Sequence, residues 1–161
     1  MTIQVLPPLS IRPMTVDDVQ PVLMVEQKNH IAPWNRANFE GEFNKPYAHL
    51  WVLTDDETDQ TVFGYVVFWH IDSSIEIINI VVDEQYRGLG LAKKMLQHVI
   101  QFSLKQSAQK LILDVRKTNQ AAVFLYQKVG FVISQIRKGF YSNGDDAYQM
   151  SLNLNEAKLD F

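Results

Sequence analysis

The chain has 161 residues and a mass of 18.6 kDa, the size of one globular domain, and its 47% apolar and 20% charged content excludes a disordered or fibrous protein. Fifteen Lys and Arg against eighteen Asp and Glu leave a net charge of -3, so no basic field draws the chain directly to nucleic acid. The absence of cysteine removes disulfides, thiolate metal sites and cysteine nucleophiles.

At the start of the chain the first basic residue is Arg12, and Pro7 and Pro8 interrupt the apolar residues, so no export signal is expected. Residues 9–14 alternate as a strand. Thr15 caps a helix with Asp17 and Asp18 in its first turn, where negative charge is favourable, and that helix runs to about Lys28. Pro33-Trp34-Asn35 turns into a shorter helix carrying Phe39 and Phe43, closed by Asn44-Lys45-Pro46 because the residue before proline avoids helical angles. Residues 49–54 and 61–71 are antiparallel strands joined by the acidic turn 55–59, and a turn at Asp72-Ser73-Ser74 leads to a strand over 75–82. The run 62–69, the longest without strongly polar residues, is far short of the roughly 20 apolar residues that span a bilayer. A cytoplasmic protein with no membrane partner is the expectation.

After Asp83 the period changes. Ala92, Met95, Leu96, Val99, Ile100 and Leu104 share one face of the strongest helix. Residues 110–116 form a strand; Asn119 then caps a second helix striped by Ala122, Leu125, Tyr126 and Val129 and closed by Gly130. Strands over 131–138 and 147–154 flank the turn 142–145, and the segment from Asn155 is expected to be a frayed or loosely docked tail. No repeat or linker interrupts a single domain over 1–161. The order β-α-α-β-β-β-α-β-α-β-β is that of an α/β (α+β) mixed sheet. Its strand-helix-strand crossover makes 75–82 and 110–116 parallel neighbours, with a ligand site expected at their carboxyl ends.

Between those strands lies Arg87-Gly88-Leu89-Gly90-Leu91-Ala92-Lys93, a glycine loop that enters a helix. Amides at such a start form a nest for phosphate or pyrophosphate, although a glycine turn can also serve the chain alone. The loop lacks the Gly-Lys-Ser/Thr of a P-loop, and Lys93 stands where a dinucleotide fingerprint needs its third glycine. It fits Arg/Gln-x-x-Gly-x-Gly/Ala, read from Arg87 or, in a second register, from Gln85; the first leaves room for the turn after Val82.

The motif from Arg87 to Ala92 resembles the acetyl-CoA pyrophosphate loop of the GNAT acetyltransferase superfamily. The run Asn119-Gln120-Ala121-Ala122-Val123-Phe124-Leu125-Tyr126-Gln127-Lys128-Val129-Gly130-Phe131 is similar to that superfamily's N-terminal acetyltransferase signature. Ala32-Pro33-Trp34 with Phe39, Asn79-Ile80-Val81-Val82 and Leu113-Asp114-Val115-Arg116 look like the bacterial ribosomal-protein-alanine N-acetyltransferases (RimI type). That resemblance implies a GNAT-like acyltransferase fold, acetyl-CoA as cosubstrate, no metal, and an acceptor that is the N-terminal Ala of a small-subunit ribosomal protein, in a monomer or weak homodimer.

The resemblance also implies roles. Backbone groups of Ile80, Val81 and Val82 pair with the pantetheine arm like an added strand. The amides of Gly88, Leu89, Gly90, Leu91, Ala92 and Lys93 hold the pyrophosphate, Arg87 supports the loop or meets a phosphate, and Asn119 contacts CoA or simply caps its helix. Tyr126, otherwise a core tyrosine, gives a proton to the departing thiolate, and Asp114 stands where the family carries a glutamate base, one methylene short. Glu76 is the alternative base. An α-amine, with a pKa of about 7.7–8.0, asks less of such a base than a lysine at about 10.4. Trp34, Phe39, Phe140 and Tyr141 line the peptide groove, whereas Trp51, Phe63, Phe68 and Trp69 belong to the core. His30, His49, His70 and His98 show neither metal spacing nor triad context. Acetylation of a small amine or a lysine is the alternative within the class, and a CoA-binding module without catalysis the alternative outside it.

Overall fold

The computed structural model describes residues 5–29 and 32–155, so the first four residues, His30 and the expected tail beyond Asn155 lie outside the described residues. Strands β1 (Leu9–Pro13), β2 (Ala48–Asp55), β3 (Val62–Ile71), β4 (Ser74–Val82), β5 (Lys110–Arg116), β6 (Val132–Arg137) and β7 (Ala147–Asn153) alternate with helices α1 (Val19–Asn29), α2 (Arg36–Phe43), α3 (Leu91–Lys105) and α4 (Gln120–Val129). Their order along the chain is the one the periodicities predict. The sheet is mixed and seven-stranded, ordered β1-β2-β3-β4-β5-β7-β6, so the last strand inserts between β5 and β6.

Two short 3-10 turns depart from the sequence expectation. The first, Val16–Asp18, forms because Asp18 is held on both sides: Arg12 donates to its two carboxylate oxygens at 2.7 and 2.9 Å, and the Thr15 N–H donates at 2.7 Å. That tightens the chain before α1 begins. The second, Glu84–Tyr86, is nucleated by Asp83, whose side chain accepts from the Gln85 N–H at 3.1 Å.

The chain packs as two compact units, one from residues up to Phe68 with Asn79–His98, the other from Trp69–Ile78 with residues from Val99 onward. In the first, Leu53, Phe63, Val82, Leu91 and Met95 form a buried cluster against which Ile11, Ile80 and Tyr86 pack. Leu91 and Met95, one turn apart, thereby fix the start of α3. Phe39 is fully buried, edge-on to Trp34 at 5.2 Å and to Tyr65 at 5.4 Å, so it is a core residue and not a wall of a groove. Trp51 and Trp69 are half-buried, whereas Phe63 and Phe68 are core as expected.

In the second unit β5 alternates strictly. Leu111, Leu113 and Val115 are buried on one face, and Ile112, Asp114 and Arg116 are half-buried on the other. The first half of β4 runs parallel to it, with Glu76 opposite Ile112 and Ile77 opposite Leu113. On its other side β7 runs antiparallel, with Gln149 opposite Asp114. Asn119 caps α4 by accepting from the Ala122 N–H at 3.3 Å, and Gly130, at φ 119°, closes it in the left-handed conformation.

Gly64 on β3 is a position where space decides. A Cβ there would stand 2.5 Å from the Val81 carbonyl oxygen and 3.3 Å from the Val82 Cα, both backbone atoms of β4. Gly64→Ala should therefore cost about 1–3 kcal/mol in urea unfolding; a loss under about 0.5 kcal/mol would show that β4 yields freely.

Candidate active site

The glycine loop has the backbone that its motif requires. Gly88 and Gly90 sit at φ 78° and 77°, in the left-handed region, and a Cβ at either would meet nothing within 4 Å, so conformation and not crowding selects glycine. α3 begins at Leu91, one residue earlier than the apolar stripe implies, because Leu91 itself is buried in the core cluster. Gly90 accepts the first helical bond, from the Lys94 N–H at 3.1 Å. The amides that precede it lie in the first turn, where no intrahelical acceptor exists. Arg87, Lys93 and Lys94 are exposed around this positive helix end. Together these features suit a doubly charged pyrophosphate. Ile80, Val81 and Val82 form the second half of β4 directly before the loop, Ile80 half-buried and the two valines buried.

The second unit brings together most of the residues expected to do chemistry. Asp114 and Glu76, on the adjacent parallel strands β5 and β4, are each half-buried. Burial raises the proton affinity of the Asp114 carboxyl, and Arg137, whose Nη1 donates to Oδ2 at 3.3 Å, opposes that rise. Its other oxygen, Oδ1, is buried and has no hydrogen-bond partner among the described residues. Glu76 is raised first by burial and then by the charge of Asp114, with Arg137 again opposing. The guanidinium of Arg137 also lies 5.0 Å from the ring centre of Phe140.

Tyr126 is buried on α4, 5.8 Å ring to ring from Phe131, and burial drives its phenol well above the ordinary value. It stays protonated at neutral pH. Tyr141 is half-buried under the guanidinium of Arg116, 3.9 Å from the ring centre, and Arg116 is itself bound to Asn143 Oδ1 at 3.0 Å and Asp145 Oδ2 at 2.9 Å. Burial raises the Tyr141 phenol, with Arg116 opposing. Asp145 is thus committed to Arg116. Trp34 lies in the first unit, half-buried against Phe39. A groove of about 680 Å³ lined by Lys117, Gln120, Phe124, Ile133 and Tyr148 includes none of these chemical residues, so room alone does not locate the site.

One polar network escapes the sequence altogether. Glu26 on α1 is fully buried, and its Oε2 accepts from the Tyr65 hydroxyl of β3 and, at 2.9 Å, from the Asn79 amide of β4, whose nitrogen is also 2.7 Å from the tyrosine oxygen. Burial pushes the Glu26 carboxyl up to about 7, with the Asn79 hydrogen bond opposing. The partners are 39 and 53 residues apart, beyond any local pattern. Among the described residues, no group of three or more His, Asp or Glu is placed to hold a metal ion, and no helix is long and apolar enough to cross a membrane.

Comparison with known proteins assigns this architecture. The model of the acetyltransferase (GNAT) family matches residues 17–131. The chain belongs to that family. The GNAT acetyltransferases use acetyl-CoA, and the glycine nest fits its pyrophosphate. Ribosomal protein bS18-alanine N-acetyltransferase of Escherichia coli (strain K12) is 28% identical over 149 residues, 91% of this chain and 98% of that protein. A Bacillus subtilis (strain 168) protein provisionally given the same activity is 32% identical over 149 residues, 91% of this chain and 97% of its own. The crystal structure of the Escherichia coli enzyme superposes with a TM-score of 0.84 at 27% identity, covering 96% of this chain and all of that one. The GNAT fold that the resemblance implies is the fold observed.

The Glu26 network carries a pH signature. Its folded value of about 7 stands above the ordinary 4.5, so the folded state binds the extra proton and stability falls as pH rises from about 4.5 through 7. Glu26→Gln, which keeps an acceptor for Tyr65 and Asn79, should remove about 3 kcal/mol of that decline. Urea unfolding at pH 5 and pH 8 measures it; equal pH dependence of variant and parent would show that Glu26 stays ionised when buried.

Proposed function

We propose that this chain moves the acetyl group of acetyl-CoA directly to the α-amine of a peptide or protein N-terminus, with the N-terminal Ala of a small-subunit ribosomal protein as its acceptor, in the cytoplasm. The observation that carries the chemistry is Asp114: a half-buried carboxylate with raised proton affinity and one buried oxygen that no donor among the described residues reaches. The acceptor is supported by relatives that match along almost the full chain and that act on the alanine of bS18.

In this reading the backbone of Ile80, Val81 and Val82 pairs with the pantetheine arm, and the amides of Gly88, Leu89, Gly90, Leu91, Ala92 and Lys93 hold the pyrophosphate, with Arg87 beside them. Asn119 meets the cofactor at the start of α4, and Trp34 and Tyr141 receive the peptide. Asp114, or Glu76 on the neighbouring strand, takes a proton from the α-ammonium. The free amine attacks the thioester carbonyl; the C–N bond forms, the C–S bond breaks and the sulfur leaves as a thiolate, while the second proton shed by the new amide nitrogen balances the one the thiolate takes from Tyr126. Tyr126, held protonated by burial, donates its proton to the sulfur as negative charge builds there. No enzyme nucleophile is required.

Release of CoA is measured with acetyl-CoA and three acceptors: a basic peptide beginning with Ala, its N-terminally blocked twin bearing a lysine, and a polyamine. Turnover on the free Ala terminus alone is expected, and turnover on the blocked peptide or the polyamine would overturn the acceptor. Tyr126→Phe should lower kcat by about 10²-fold while the Kd for acetyl-CoA stays within about threefold. An unchanged kcat would remove Tyr126 from the mechanism.

A further inference from the structure

The charges around Asp114 are unbalanced in a specific way. Two carboxylates, Asp114 on β5 and Glu76 on β4, face one guanidinium, that of Arg137 at the end of β6. The second guanidinium nearby, Arg116, is committed to Asp145, Asn143 and the face of Tyr141. From β7 the neighbour in register is the uncharged Gln149, and from the turn after β6 comes the phenol of Tyr141. With both carboxylates ionised the cluster carries one negative charge in excess. Arg137 holds Asp114 through Oδ2, leaving Oδ1 buried and unpartnered among the described residues.

We propose that this cluster is a receptor for a single primary ammonium: Asp114 Oδ1 accepts the ammonium of the acceptor amine, and Arg137 is the positioning residue that turns that oxygen toward it and keeps the carboxylate pair charged. The inference rests on the transfer reaction proposed above and adds to it the device that prepares the base. A buried carboxylate oxygen without a donor costs stability unless a ligand supplies one, and an ammonium supplies both the hydrogen bond and the missing charge. Arg137 suits its part because its stem is only partly buried on the edge strand β6 and its guanidinium is steadied by Phe140. Asp114, one methylene shorter than glutamate, has less freedom to turn away once Oδ2 is held.

Arg137→Gln removes the counter-charge and keeps a hydrogen-bond donor; Arg137→Lys keeps the charge. In Arg137→Gln the pair retains a proton to higher pH, so the acid limb of kcat/KM for the amine should move up by about one pH unit. The KM for the amine rises, and the KM for acetyl-CoA stays within about twofold. Arg137→Lys should keep the limb within about 0.3 unit of the parent, an outcome that a merely structural role for Arg137 would not produce. The limb is read with whichever amine the enzyme acetylates, so a different acceptor would overturn the Ala assignment without touching this test. Independently of turnover, the Asp114 carboxyl is titrated by carbon-13 NMR in the free protein, where its midpoint should rise by about one unit in Arg137→Gln and not in Arg137→Lys. An unmoved limb and midpoint in Arg137→Gln, or equal movement in both variants, would overturn the proposal.

Discussion

The parallel pairing of β4 with β5 is the constraint from which the candidate chemistry follows. Parallel strands need a crossover between them, and here the crossover is the glycine loop and α3. The ladder sets Glu76 opposite Ile112 and so brings it beside the face that carries Asp114 two residues on. The strict alternation of β5 then sorts its residues: the aliphatic face is buried, and the other face keeps a carboxylate half-buried, where it can be reached and yet feels a low dielectric. A shift of one residue in that register would bury Asp114 among leucines and turn Leu113 outward.

Burial and counter-charge compete throughout this unit. At Asp114 and Glu76 burial raises proton affinity and Arg137 restrains it; at Tyr141 burial raises the phenol and Arg116 restrains it. The balance matters because an ordinary aspartate, near 3.9, is a poor base toward an ammonium, whereas an α-amine near 7.7–8.0 loses its proton more readily than a lysine. A rise at Asp114 narrows the gap for the α-amine, which is smaller than that for a lysine to begin with. The shortened side chain is thus compatible with N-terminal substrates for a thermodynamic reason.

Much of this was legible in the chain. The 3.6-residue stripe of α3, the alternation of β5, the Asn119 and Gly130 caps and the crossover all rest on local patterns, and each lies where its pattern puts it, except that Leu104, expected in the stripe of α3, is exposed. The loop motif was legible too, since Gly88 and Gly90 adopt the conformation for which glycine is selected. The misses share a cause. Insertion of β7 between β5 and β6, the pairing of Arg137 with Asp114 across 23 residues, and the Glu26–Tyr65–Asn79 network depend on which distant elements meet, which no local period encodes. Phe39 follows the same logic: its place beside Trp34 suggests a groove, but it faces Tyr65 in the core.

The central claim is that an α-amine takes the acetyl group directly, without passing it through the protein. The most direct measurement mixes the enzyme, preloaded with acetyl-CoA at one equivalent, with a peptide that begins with Ala and also contains an internal lysine, then locates the acetyl group by fragment-ion mass spectrometry. The account predicts all of the label on the Ala α-nitrogen and none on the protein at any time point. Label on the lysine side chain, or on the protein before it reaches the peptide, would contradict it.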